Sequence, residues 1–559
     1  MARALLAALL SIAQGSQLNL SHWLNWVPDL GAYSFPIRDK ELQEVFDLGM
    51  FLIYNFDQLN ARSAFQEATR LQEACAMCHW GMAHAYGPTL NAPVKSEEEL
   101  AAGYASAKRA LDLLELAPQS YSPKERLLIR SMAVRYPKSA AGEQAASYKL
   151  YSQRYAELLA EMKLQEDPDV KVFHAEALMI LMCSPNEWHF YDSRGDSVPS
   201  VPKAETLAST KMLKEALNAT NQSHRYAQHL LIHSTEMSNV DAFTALDTAA
   251  HLIAETKGLN DQHLQHMTSH TYLRTGRYHE ALMSNILAQG SDSAYLRHHW
   301  MPYGPGHNAI FLVCCALWGG ERAAAYKYVQ VAQKIFETFP AQPDFPDGRM
   351  AWNYPMLVAL RFGDWKDVAE LAREPPEGFD WVYGHRIIFH FSLAIAECHL
   401  GNVSGSRQHL THLQHLLPLS PYQNLSLIAN HTASAVLAMA EAQQDQAVQA
   451  LAAAADLELA MPYGLPPNWL LPSRECYGHA LLLTGRHAEA EQVFRAALTG
   501  QSFHAEPRCG WALLGLKRSL QLQGVNDEAR ALTREIQEVW RFADVPLRSP
   551  CLHMDVPLV

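Results

Sequence analysis

The chain has 559 residues, too many for one ordinary compact core, so it holds several domains or one extended repeat array. Its 48% hydrophobic content, with 28 Gly and 29 Pro, is a globular helical composition, neither disordered nor membranous. A net charge of −13 with no long basic run argues against a nucleic-acid partner.

Residues 1–28 open the chain. Arg3 precedes the apolar run Leu5 to Ala13, a pattern that fits either a short secretory signal or a first amphipathic helix. Six Asn-x-Ser/Thr acceptors, at Asn19, Asn218, Asn221, Asn402, Asn424 and Asn430, lean toward secretion, and a cytoplasmic or secreted location stays open. No apolar run is long enough for a transmembrane segment. Nine scattered cysteines do not read as a disulfide framework, and mostly buried thiols are expected.

Ala61, Phe65 and Ala68 set out one apolar helix face, and Trp80-Gly81 opens the helix that follows. Just before it stands Cys75-Ala-Met-Cys78-His79. Read alone, CxxCH is a haem attachment motif. At the start of a packed helix, however, it has no room for covalent haem. Buried packing thiols are favoured over a metal or redox pair, and haem is disfavoured.

Gln228 to Glu236 reads as a helix. At about 100° per residue, His229, His233 and Glu236 share one face. Some thirty residues on, His263, His266 and His270 share a face of a second helix. Imidazoles at i and i+4 on two facing helices are a common way to hold Zn, Fe or Cu, and Glu236 could act as ligand or base. His307, after Gly304-Pro-Gly306, starts a third helix and could join them. The candidate metal set is therefore His229, His233, Glu236, His266, His270 and His307. With 27 histidines in the chain, a hydrogen-bonded polar network is the alternative. The spacing lacks HExxH, and no phosphate-binding or nucleophile-elbow motif is present.

From Gly276 onward a repeat governs the chain. Gly276 is followed by Ala281 and Ala288, Gly320 by Ala325 and Ala332, and Gly485 by Ala490, Phe494 and Ala497. Weaker copies start at Gly363, Gly401, Ala442 and Gly524, so the anchors stand 38 to 44 residues apart. A small anchor lets two antiparallel helices turn tightly, and the small residue five later lets them approach. One such hairpin cannot bury its apolar stripe alone and must stack on the next. These are the marks of tetratricopeptide (TPR) hairpins, stretched beyond the usual 34 residues. The expected fold is all-α, a TPR-like α-solenoid. Residues 29–310 should form an irregular TPR-like region and 311–559 a regular array.

The segments Leu30 to Pro36, Cys75 to Gly81, Gly87-Pro-Thr-Leu-Asn91, Phe173 to Leu178, His229 to Glu236, His266 to Arg274 and His307-Asn308 together resemble a family of TPR proteins common in bacteria. The resemblance covers nearly the whole chain from about residue 29. It implies the TPR fold and no particular activity. Relatives carry an aromatic where this chain has His79, and Phe-Asn-His near Phe56-Asp57-Gln58. Two readings follow: a repeat protein that binds a protein, peptide or small-molecule ligand on its concave surface around residues 229–308, or a metal-dependent enzyme, hydrolytic or oxidative, built on the His/Glu cluster there.

Overall fold

A computed structural model describes residues 36–136, 143–185, 187–192, 201–238, 240–258, 260–297, 301–338, 351–371, 382–499 and 504–557. The signal-like segment 1–28, Asn19, residues 30–35 of the first resemblance segment and the breaks at 340–350 and 373–378 lie outside the described residues. Helices carry the fold. Among the described residues the only β structure is two short ribbons, Cys183–Ser184 with Glu187–Trp188 and Tyr191–Asp192 with Val201–Pro202.

The seven anchors are the turns of seven successive hairpins, beginning with Gln262–Arg274 and Tyr278–Arg297 and ending with Gly510–Leu522 and Asn526–Val539. All seven adopt the left-handed conformation, with φ between 58° at Ala442 and 82° at Gly401. The reason is how each first helix ends. The Gly485 N–H bonds the Leu482 carbonyl and the Arg486 N–H reaches back to Leu481, which is possible only if the residue between turns left-handed. Glycine adopts that turn without steric cost.

Helix packing follows the same frame in both halves. The Phe494 ring sits in a notch between Gly478 and Gly515 on the flanking first helices, where any Cβ would overlap the ring. Near the N-terminus the Phe65 ring sits likewise between Gly49 and Gly81. The helix pair Gln43–Tyr54 and Gln58–Leu71 is thus a hairpin of the same type, and its turn residue is Phe56, at φ 55°. One apolar core gathers residues 37–237 together with Tyr295, and a second runs from Ala249 to Met554.

Hairpins far apart in sequence also touch one another. Trp511 donates to the Leu317 carbonyl at 3.4 Å, and Tyr278 to the Pro507 carbonyl at 2.7 Å. Buried Arg361 pairs with Glu475 and stacks over Trp511.

The cysteines correct the sequence reading. Cys75 and Cys78 are buried, but they form a disulfide, as do Cys476 and Cys551. Cys75 caps helix Ala76–Tyr86 and Cys78 lies one turn on, which brings the sulfurs together. The second bridge closes a loop of 75 residues that the repeat pattern gave no reason to connect. The other five cysteines are free thiols, four of them buried. No described helix is long and apolar enough to cross a membrane.

Candidate metal centre

Three consecutive first helices build the site: Arg225–Thr235, Gln262–Arg274 and His307–Gly319. The first two lie side by side in register. Arg225 pairs with Asp261 at 3.4 Å, fixing their N-terminal ends to each other. His229 then faces His263, and Glu236 faces His270, each 34 residues on. Ile232, Leu264 and Met267 pack together as a small apolar cluster, leaving the imidazoles to share the other face. Gly306, left-handed at φ 88°, precedes helix His307–Gly319 and turns the chain so that His307 meets His266.

All six residues of the sequence-derived set come together. His266 Nε2 lies 2.8 Å from His270 Nε2 and 3.1 Å from His307 Nε2. His233 Nδ1 lies 2.5 Å from Glu236 Oε1, while His270 Nδ1 meets Glu236 Oε2. His229 Nε2 lies 3.2 Å from the Nε2 of His263, which the helical-face argument had aligned but left out of the ligand set. All but His307 are buried.

The back of each ring decides its front. His229 Nδ1 lies 2.6 Å from the Tyr54 carbonyl, an acceptor, so Nδ1 carries the proton and Nε2 presents a bare lone pair. Asn285 donates its amide to the Asn308 carbonyl, which leaves its Oδ1 to accept from His266 Nδ1 at 2.7 Å. Glu236 accepts from the Nδ1 of His270, so His270 Nε2 is a lone pair too. The 2.8 Å approach of His266 and His270 therefore sets two lone pairs against each other, a contact that a proton or a metal cation shared by the two nitrogens would relieve. Donor atoms about 3 Å apart are what a metal with bonds of roughly 2 Å gathers around itself. Carbonyl, amide and carboxylate partners behind the rings are the usual outer support of metal-bound histidine.

Burial pushes the pKa values of His229, His263, His266 and His270 down, so these rings are neutral, the form that binds metal. Burial also pushes Glu236 up, but His270 and His233 together outweigh it and hold the carboxyl below its ordinary range. Glu236 is the anion of the cluster, with both oxygens occupied from behind the rings; Tyr463 also donates to Oε2 at 3.0 Å.

The cluster borders a cavity of about 210 Å³. Leu90 and Asn91 wall it from the Gly87 to Asn91 segment, Trp188 from the first β ribbon, and Tyr463 and Leu465 from the second half of the chain. Trp188 is held by its indole N–H on the Leu90 carbonyl at 2.9 Å and packs edge-on against His233. These walls, like Asn285, were not read from the sequence, since they come from segments up to several hundred residues apart. Gln58 stands at a neighbouring cavity with Arg62 and Tyr303. The Phe173 to Leu178 segment supports the core instead: its Glu176 pairs with buried His84 and Arg135.

No family model matches the chain, and no curated protein matches it. Among solved structures it is similar to yeast Tom70 (13% identity over 89% of this chain and 97% of that one, TM-score 0.31). It is similar also to Cut9 in the APC/C Cut9–Hcn1 hetero-tetramer (12%, 93% and 89%, TM-score 0.28) and to the P58(IPK) TPR domain (11%, 89% and 99%, TM-score 0.22). The chain is an α-solenoid of TPR-type hairpins, a class its own seven left-handed anchors define. Within it a largely buried imidazole cluster borders a cavity.

Proposed function

We propose that this protein is a metal-dependent enzyme acting on a small molecule, with a transition-metal ion held by His266, His270 and His307. The observation that supports this most directly is the pair of Nε2 lone pairs on His266 and His270, set 2.8 Å apart by partners that fix both tautomers. Three imidazoles leave a fourth metal position open, and an open position on the cavity side is the arrangement of a catalytic rather than a structural site. The reading keeps the chain a ligand-binding repeat protein but narrows the ligand. A cavity of about 210 Å³ takes a compact molecule and not an extended peptide. Its mixed lining, with Trp188, Leu90 and Leu465 beside the imidazoles, suits a substrate with one polar, metal-seeking end.

Elemental analysis of purified protein, before and after chelation and after reconstitution with copper(II) or zinc(II), tests the reading. Wild type should retain metal through gel filtration. The double variant His233→Ala/His270→Ala should retain none, with its helical circular dichroism intact. Wild type that takes up neither ion, or a double variant with full metal content, overturns the proposal.

A further inference from the structure

The imidazoles of the cluster number six, all buried but His307, and they fall into two sets of three. His266, His270 and His307 form one, with a ligand nitrogen from each within 4.8 Å of the others; His229, His233 and His263 form a second by the same measure. We propose that the second triad is a metal site in its own right, so that the cavity is served by two ions. This rests on the reading above and extends it to residues that reading does not use.

Tautomers carry the argument again. The Tyr54 carbonyl holds the proton of His229 on Nδ1, and the bare Nε2 faces His263 Nε2 at 3.2 Å. Glu236 holds His233 from behind at 2.5 Å, and His233 Nε2 is left buried with no hydrogen-bond partner among the described residues. An unpartnered polar atom inside a protein is costly and asks for an explanation. Hydrogen bonds among the described residues do not give one: a proton on His263 Nε2 can satisfy His229, but none of those residues donates to the His233 nitrogen. A metal ion satisfies all three at once.

The close approach of ligand nitrogens divides the six rings three and three, one triad further along the paired helices than the other. Glu236 stands between, one oxygen on each Nδ1, so one carboxylate orients a ring of both triads. Phe56 packs against all three rings of the second triad. Its ring lies 4.3, 5.7 and 5.6 Å from those of His229, His233 and His263, shielding that ion from bulk water. His233 and His263 line the same cavity as His266, His270 and His307, so both ions would face one substrate. Two adjacent ions can clamp a single substrate from both sides. Ligation by imidazole nitrogen alone suits copper or zinc.

Metal stoichiometry decides the matter. Chelated apo-protein is titrated with zinc(II) or copper(II) alone, and bound metal per chain is measured after gel filtration for wild type, His263→Gln and His307→Ala. The expected values are two, one and one, and His263→Gln/His307→Ala should bind none tightly. His263→Gln is close to isosteric, and unchanged melting of the apo-proteins excludes misfolding; if it melts early, His229→Gln takes its place. A wild type with one ion, lost in either single variant, overturns the second site while leaving the proposed function intact. Two ions in His263→Gln and in His229→Gln also overturn it. A wild type with no ion overturns the proposed function itself.

Discussion

Asn285 gives the most direct test of the tautomer argument, because it touches the site only through the back of one ring. It is fully buried, its Oδ1 accepts from His266 Nδ1 at 2.7 Å, and its amide donates to the Asn308 carbonyl at 2.6 Å. Asn285→Leu keeps the volume and removes both bonds. With no acceptor behind it, His266 moves its proton to Nε2, where the His270 lone pair at 2.8 Å accepts it. The apo-protein therefore recovers part of the loss, and its stability should fall by only about 1–2 kcal/mol. Metal binding has no such recovery, since the proton occupies the coordinating nitrogen. Removing an outer-shell partner of this kind lowers affinity by roughly 10–100-fold, equivalent to about 1.4–2.7 kcal/mol. Asn285→Asp restores an acceptor facing Nδ1 and should recover most of the affinity. The assay is competition for zinc(II) against a chromophoric chelator, with urea denaturation of the apo-proteins in parallel. Equal affinities for wild type and Asn285→Leu would refute the assignment of the His266 tautomer and with it the lone-pair argument.

Gly515→Ala places a methyl inside the Phe494 ring and should destabilise by about 1–3 kcal/mol, whereas in a Phe494→Leu background it should cost much less; additive urea midpoints would show that the ring does not fill that notch. Burial lifts the Asp292 carboxyl to about 8, against a hydrogen bond from Asn308. The folded state thus holds a proton that the unfolded chain releases near pH 4, so stability falls as pH rises from about 4 to 8. Asp292→Asn should remove that slope and gain on the order of 4–6 kcal/mol at pH 8, measured by denaturation at pH 5 and 8; parallel curves for the two proteins would count against it. Alkylation of the denatured chain should modify five cysteines without reductant and nine with it, and nine in both cases would exclude the two disulfides.

How legible the fold was depended on how each turn is made. Where the left-handed residue is glycine, a small anchor stands out against helical sequence, and the array from Gly276 to Gly524 can be counted directly. Ala442 was legible only through its spacing from its neighbours. The disulfide between Cys476 and Cys551 was not legible, because it joins a repeat to the C-terminal segment, and nothing in the period says which hairpin that segment meets. The contacts between distant hairpins were hidden for the same reason. Contacts such as Trp511 on Leu317 depend on the pitch of the whole coil, which a local pattern does not encode.

The site divides along the same line, and Phe56 shows where. Counting from it, Ala61, Phe65 and Ala68 fall at the offsets that Ala490, Phe494 and Ala497 keep from Gly485, and the Phe56 N–H and its successor make the same backward bonds to Ile53 and Leu52. It is an anchor of the series, hidden because the residue there is phenylalanine. Holding a bulky side chain at φ 55° costs about 1–3 kcal/mol, which glycine would avoid. The fold gains nothing from that choice, since every downstream anchor but one is glycine. What the phenylalanine adds is its ring, packed against His229, His233 and His263. The histidines themselves were readable because helical periodicity places them on single faces. The residues that close over them and fix their protons, Phe56, Asn285 and Tyr463, sit on other elements, where no spacing rule points. Phe56 alone left a trace in the sequence: a repeat frame that fits at every position except the turn. A strained residue at a position built for glycine, beside three buried imidazoles, is better explained by the site than by the scaffold.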